Sequence, residues 1–246
     1  MGKSGRTVLI VDSDPAIRYY HAMLLMRLHY AAMTDWPPDE ALMRMERSVP
    51  SLILTTFPAL TRNGTDFIKT LNTSDRTREI PIIALVDENN AEHRASSGTA
   101  GCAASLVKPA DPQQLFQTIQ SFIETIPRAH IRLNLSLKVV VGAGSAPGGI
   151  EQEAYTSMIS EGGFSMRTYA PMPKHTVLLV TLFIPGREIT TRAEVLYHIP
   201  VDPIRSREPG MGLKFIDLLE DDRTFLRTFI REQLVHDIKP RYRTDA

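Results

Sequence analysis

The sequence predicts an α/β domain with a doubly wound parallel sheet, followed by a six-stranded antiparallel β-barrel with a C-terminal helix. Three observations lead there. Up to about residue 125, short and continuously apolar runs alternate with helical patterns. From Leu133 the helical period gives way to strand-like runs separated by turn residues. Near the end, Glu220 to Val235 returns to helical spacing. Continuous apolar runs suit parallel strands, because helices cover both faces of such a sheet.

Thr7 to Val11 is the first such run and ends in Asp12-Ser13-Asp14-Pro15. Asp14 suits an N-cap, and Pro15 the first helical position. The helix it opens, over 15–29, carries Ile17, Met23, Leu24 and Leu28 at helical spacing. Ala31 to Thr34 reads as a second strand, and 38–47 as a helix opened by proline. Ser51 to Thr56 is the third strand, with a helix from Gly64 to Leu71. Ile80 to Val86 is the fourth strand, with a weaker helix over 90–99. Ala104 to Lys108 is the fifth. Asp111-Pro112-Gln113-Gln114 then reads as a capping box for an amphipathic helix to about Thr125. Five strand–helix units of this kind form a parallel sheet with its sites at the carboxyl ends of the strands.

In the second half, strands are expected at 135–141, 150–159, 164–169, 176–184, 188–198 and 211–218. The glycine-rich stretch from Gly142 to Gly149 looks like a phosphate cradle only superficially, since no Gly-Lys-Ser/Thr follows and no helix starts there. It reads as a hairpin connection, and Gly2-Lys3-Ser4 has no strand before it. Pro185-Gly186 marks a turn. In the closing helix Phe225, Leu226, Phe229, Ile230 and Leu234 share one face. Six strands with tight turns and one amphipathic helix fit a small closed barrel with a helical cap.

The 246 residues hold 28 basic and 28 acidic side chains, so no long-range field draws the chain to DNA or an anionic membrane. The basic tail of Lys239, Arg241 and Arg243 is too short to change that. One cysteine, Cys102, excludes an internal disulfide and fits a reducing cytoplasm. No apolar run is long enough for membrane insertion. The seven histidines have no ligand spacing and one cysteine makes no zinc site, so no metal is expected. No Ser/His/Asp constellation can be ordered, and neither catalytic residues nor an enzyme are expected.

The ends of the first, third, fourth and fifth strands hold Asp12, Thr56, Val86 and Lys108. Together with Val8-Leu-Ile-Val-Asp12, Gly64 eight residues after Thr56, Ile80-Pro81 and Ala100-Gly101 through Lys108-Pro109, they give residues 5–126 a resemblance to the receiver domain of bacterial response regulators. That resemblance implies a flavodoxin-like fold. In the family an acidic pair binds Mg²⁺, an aspartate takes the phosphoryl group and a lysine steadies it, while a Ser/Thr and an aromatic residue report the modification. Here Asp12 and Lys108 match. The second acid is Ser13, the phosphoacceptor is Thr56, and the reporters are Val86 and Ser105. A hydroxyl cannot form an acyl phosphate, and one carboxylate is a poor set of ligands for Mg²⁺. The expectation is a pseudo-receiver over 1–126 with a degenerate pocket of Asp12, Thr56, Val86 and Lys108. Asp14 is better explained as a helix cap, and modification of Thr55 or Thr56 by a kinase is a lesser alternative.

Between the halves lies Arg128-Ala129-His130-Ile131-Arg132. Two arginine forks four positions apart can pair with phosphate or with the O6/N7 edge of guanine, or can be solvated linker charges. This arm, Met158-Ile-Ser160-Glu161-Gly162-Gly163-Phe164 and Gly210-Met-Gly-Leu-Lys-Phe-Ile-Asp217 make residues 127–236 similar to a PilZ domain, a bacterial receptor module for cyclic di-GMP. The resemblance implies an RxxxR arm on the ligand's phosphates and guanine edges, and a [D/N]xSxxG strand as the opposite wall. Position by position, Arg128, Arg132, Ser160 and Gly163 match. Met158 stands where the family has Asp or Asn, and one unpaired polar edge costs about 1–3 kcal/mol, or roughly 5- to 150-fold in affinity. Its thioether could instead lie on the purine face. His130, inside the arm, and Met158 are further candidate contacts.

The expectation is a cytoplasmic signalling adaptor without a cofactor. Its PilZ domain binds cyclic di-GMP, its receiver contacts an unidentified protein partner or a second copy in a homodimer, and residues 237–246 are a basic tail. The alternative is a constitutive protein–protein adaptor for motility, chemotaxis or pilus control that binds no nucleotide.

Overall fold

In the computed structural model, which describes residues 6–62, 66–142, 151–200 and 209–238, Thr7–Val11 form strand β1. Helix α1 (Pro15–Arg27), β2 (Ala31–Asp35), α2 (Pro38–Met45), β3 (Leu52–Thr56) and α3 (Phe67–Thr73) follow. Then come β4 (Ile82–Val86), α4 (Ala91–Thr99), β5 (Ala104–Val107) and α5 (Pro112–Ile123). The five strands pair in parallel in the order β2-β1-β3-β4-β5, the flavodoxin-like arrangement. Leu9, Val11 and Ile53 pack on one face of the sheet with Ala41, Met45, Phe67, Ile68 and Leu71. The apolar runs are apolar because β1, β3 and β4 are buried on both faces.

Side-chain caps set the starts of α1, α3, α4 and α5. Asp14 accepts from the N–H of Ala16 at 2.8 Å, and Asp111 from Gln113 and Gln114 at 3.0 and 3.1 Å. Two expected boundaries move for local reasons. Helix α3 begins at Phe67, because Asp66 caps it by accepting from Ile68 and Lys69; Gly64 lies outside the described residues. Helix α1 ends at Arg27, two residues early, since His29 has a left-handed φ of 67°. Gly101, with φ +96°, turns the chain from α4 into β5, and a side chain there would collide with Asn72.

The second half gives β6 (Lys138–Val141), β7 (Gln152–Ser160), β8 (Gly163–Arg167), β9 (Val177–Ile184), β10 (Arg187–Ile199), β11 (Gly210–Phe215) and α6 (Glu220–Val235). All neighbouring pairs are antiparallel, and the order β10-β11-β8-β7-β6-β9 closes through β9 and β10. Alternation along the strands sends Val139, Ile159, Phe164, Met166, Leu182 and Val195 into the barrel core. The first barrel strand was expected from Leu135 but starts at Lys138. The Thr156 hydroxyl donates to the Leu135 carbonyl and accepts from Leu137 N–H at 2.9 Å, while Thr156 N–H donates to the Leu137 carbonyl at 2.9 Å, so side chain and backbone share the pairing there. On α6, Leu226, Phe229 and Ile230 are buried, and Phe225 stacks on Phe229 beneath the Arg187 guanidinium.

The chain divides into two compact units, Met1–Ala129 with Leu234–Ala246, and His130–Gln233. Within the first, Arg27 donates to the Leu234 carbonyl at 2.8 Å and to Asp237 at 2.7 Å. The glycine-rich hairpin connection beyond Gly142, Gly2-Lys3-Ser4 and the basic tail from Lys239 lie outside the described residues. Among the described residues no helix is long and apolar enough to cross a membrane.

Candidate functional site

At the carboxyl end of the parallel sheet, Asp12 is completely buried. One carboxylate oxygen accepts from Asp14 N–H at 2.9 Å, while Oδ2 has no hydrogen-bond partner. Lys108 Nζ stands 3.7 Å from Oδ2, donates to the Thr56 hydroxyl at 3.1 Å and pairs with Asp87 at 3.2 Å. Burial pushes the Asp12 carboxyl above its ordinary range, against the Asp14 N–H and the Lys108 charge. Arg18, one turn into α1, donates to the carbonyls of both Asp12 and Ser13. Val86 is fully buried at the end of β4, and Ser105 is half-buried on β5.

The residues expected to cluster here do so, but they are a poor fit for Mg²⁺. A divalent ion needs several hard oxygen ligands. The pocket offers one buried carboxylate with a lysine close by, and an arginine already holds the loop carbonyls. Among the described residues no group of three or more His, Cys, Asp or Glu could hold a metal. Asp14 is committed as the cap of α1. Asp87 and Arg18 were not foreseen. Asp87 directly follows the fourth strand and the strand-end rule could have reached it, whereas nothing in the spacing of Arg18 announces its two carbonyl acceptors.

In the second unit, the arm enters the barrel as an antiparallel partner of β7. Leu133 and Ile159 exchange both backbone hydrogen bonds at 2.9 Å. Ile131 and Leu133 are buried and point inward, while Arg132 between them is exposed. Continuing that register sets Arg132 opposite Ser160, and directly opposed residues share a face. Ser160 donates from its hydroxyl to the Gly163 carbonyl at 3.0 Å. Met158 is half-buried beside a register shift between Thr156 and Met158. Gly163 is required by close approach: a Cβ there would lie 2.1 Å from the Leu213 carbonyl oxygen.

His130, on the arm, lies beside the β7–β8 turn, its Nδ1 3.8 Å from Glu161 Oε2. Arg128 falls at the edge of the first unit, exposed, with its backbone N–H donating to the Gln120 side chain at 2.7 Å. Glu161 is a residue that sequence reasoning missed. It is buried at a hairpin turn and paired with Arg227 of α6 at 2.9 Å. Farther along β7 and β8, a cleft of about 630 Å³ is lined by Tyr155, Arg167, Thr168 and Tyr169 among others. Both tyrosines are exposed, and ligand clefts commonly have this volume.

Comparison with known proteins agrees with this division. Residues 8–120 match the response regulator receiver domain, and residues 126–232 match the PilZ domain. The phosphate regulon transcriptional regulatory protein PhoB of Escherichia coli is 26% identical over 121 residues, 49% of this chain and 53% of that protein. The autoinducer sensor kinase/phosphatase CqsS of Vibrio cholerae is 27% identical over 119 residues, 48% of this chain and 17% of its own length. The chain thus spans about half the length of the PhoB proteins it matches, 53%. Among solved structures, a response regulator from Chloroflexus aurantiacus gives a TM-score of 0.45 at 22% identity, covering 48% of this chain and 98% of that one. The Bacillus subtilis inhibitor of motility gives 0.37 at 24% identity, covering 44% and 51%.

Proposed function

Because the chain is a response regulator receiver domain followed by a PilZ domain, we propose that it is a signalling adaptor that binds cyclic di-GMP and passes the signal to a protein partner. The observation that carries this reading is the register of the arm. Its bridge from Leu133 to Ile159 sets Arg132 on the same face as Ser160. An arginine fork on the same face as a serine hydroxyl suits a ligand that presents a phosphate and a guanine edge together. Arg128 supplies the second fork, Gly163 keeps the turn tight, and His130 and Met158 border the ligand. No cofactor is needed.

The receiver, on this reading, takes no phosphate. Thr56 presents a hydroxyl to Lys108 where a carboxylate would be needed, and the set around Asp12 does not suit Mg²⁺. The domain acts instead as a docking surface in the cytoplasm, for a partner or for a second copy of the chain. Neither domain carries out catalysis.

Isothermal titration of the intact protein with cyclic di-GMP, beside Arg132→Ala, tests the reading. Binding by the wild type and a large loss in the variant support it. A second reading is favoured by Met158, which cannot offer a polar edge to guanine: an adaptor that engages its partner whatever the nucleotide level. That reading expects no heat, and partner binding that is indifferent to cyclic di-GMP.

A further inference from the structure

Glu161 occupies the two-residue turn between β7 and β8, a position that normally faces water, yet it is only 7% exposed. Its carboxylate oxygen Oε2 is shared. Arg227 Nε on α6 donates to it at 2.9 Å, and His130 Nδ1 from the arm stands 3.8 Å away. Arg223, one turn earlier on α6, donates to the Glu161 carbonyl at 3.4 Å. The next residue has no side chain where the imidazole lies: a Cβ on Gly162 would come within 3.1 Å of His130 Cδ2. The Gly162 carbonyl in turn accepts from Phe215 N–H at 3.1 Å, tying the turn to β11.

One buried carboxylate therefore bonds the C-terminal helix and stands beside the arm that carries Arg132. A buried charge must keep its partners, because removing one leaves it uncompensated in a poorly solvated place. The arm and α6 are then not independent. We propose that Glu161 is a positioning residue that couples them: α6, through Arg227, holds Glu161 in place to seat the arm, and occupancy of the arm is reported back at α6. Such coupling is reciprocal by thermodynamic necessity. The reporting role rests on the reading that the arm takes cyclic di-GMP; the seating role does not.

Hydrogen exchange of the intact chain, with and without cyclic di-GMP, tests this. Arg227 is chosen because no contact between it and the arm is needed except through Glu161. Without ligand, Arg227→Gln is expected to speed exchange at residues 129–133 by about fivefold or more, the lower end of ordinary coupling. Arg227→Lys, which keeps the charge, should remain near the wild type. If Arg227→Gln does not fold, Glu161→Gln is expected to loosen the arm in the same sense. Unchanged arm exchange in the folded variant overturns the proposal. With ligand, wild-type protein should slow exchange in both the arm and residues 220–233, and Arg227→Gln in the arm alone. Protection of the arm without any change in α6 overturns the reporting role. A chain that takes up no cyclic di-GMP, yet loosens its arm in Arg227→Gln, overturns the binding reading and the reporting role and upholds the seating.

Discussion

Leu133 and Ile159 donate to and accept from each other at 2.9 Å in both directions, and this pair fixes the arm to the barrel. Both side chains are buried, Leu133 at 7% exposure and Ile159 at 0%. Leu133→Ala is expected to cost about 2–5 kcal/mol in chemical denaturation of the barrel. Ligand affinity should fall with it, because Arg132 loses its fixed position. Affinity equal to wild type in a destabilised Leu133→Ala protein would separate the arm from the site.

Gly163 has no room for a side chain against Leu213. Gly163→Ala forces the β8–β11 pairing apart and should destabilise the barrel by about 1–3 kcal/mol, read as a lowered urea midpoint.

The receiver pocket yields a gain-of-function test. Wild-type protein incubated with acetyl phosphate and Mg²⁺ should take no label on the receiver. Ser13→Asp with Thr56→Asp adds two carboxylates beside Asp12 and Lys108, and should create measurable Mg²⁺ binding where the wild-type pocket gives none. Labelling of the wild type would contradict the account of Thr56.

Stability should also depend on pH through His21. This side chain is completely buried, its Nδ1 against the Ile17 carbonyl at 2.9 Å and its Nε2 accepting from Ala110 N–H at 3.1 Å. Burial lowers its pKa from 6.5 to about 4. Between those values the unfolded chain holds more protons than the folded one. Stability is therefore present above that window and is lost as pH falls through it, by about 3 kcal/mol in all. Asp12, whose carboxyl is raised by burial, acts in the opposite direction and offsets part of the loss. A His21→Gln protein should show a shallower slope over the same window in denaturation followed from pH 7 to 4.

Much of this molecule can be read from its residues. Strands β1, β3 and β4 are legible because both their faces are buried, and α1 and α5 because Asp14 and Asp111 are obvious caps beside proline. The barrel strands are legible as strand-like runs set off by turn residues, as in Val177–Ile184 before Pro185-Gly186. Strand ends are less so: the Thr156 side chain takes up the Leu135 carbonyl and the Leu137 N–H, and no pattern announces that. The site divides in the same way. Arg132 and Ser160 stand out by type and spacing, but their register depends on a bridge between Leu133 and Ile159 that only pairing reveals. Glu161 looks like an ordinary solvated turn residue, and its burial depends on Arg227, 66 residues away in sequence.

Met158 is the sharpest departure at the proposed site, and it can be reversed. Met158→Asn restores a group able to bond a guanine edge. Affinity for cyclic di-GMP should rise by roughly 5- to 150-fold. No gain would mean that the side chain at 158 does not meet the base.

Titration of wild-type protein and Arg132→Ala with cyclic di-GMP tests the central claim most directly. Saturable heat is expected for the wild type at tens of micromolar protein, and little or none for the variant. No heat from the wild type, or equal binding by the two, would contradict it.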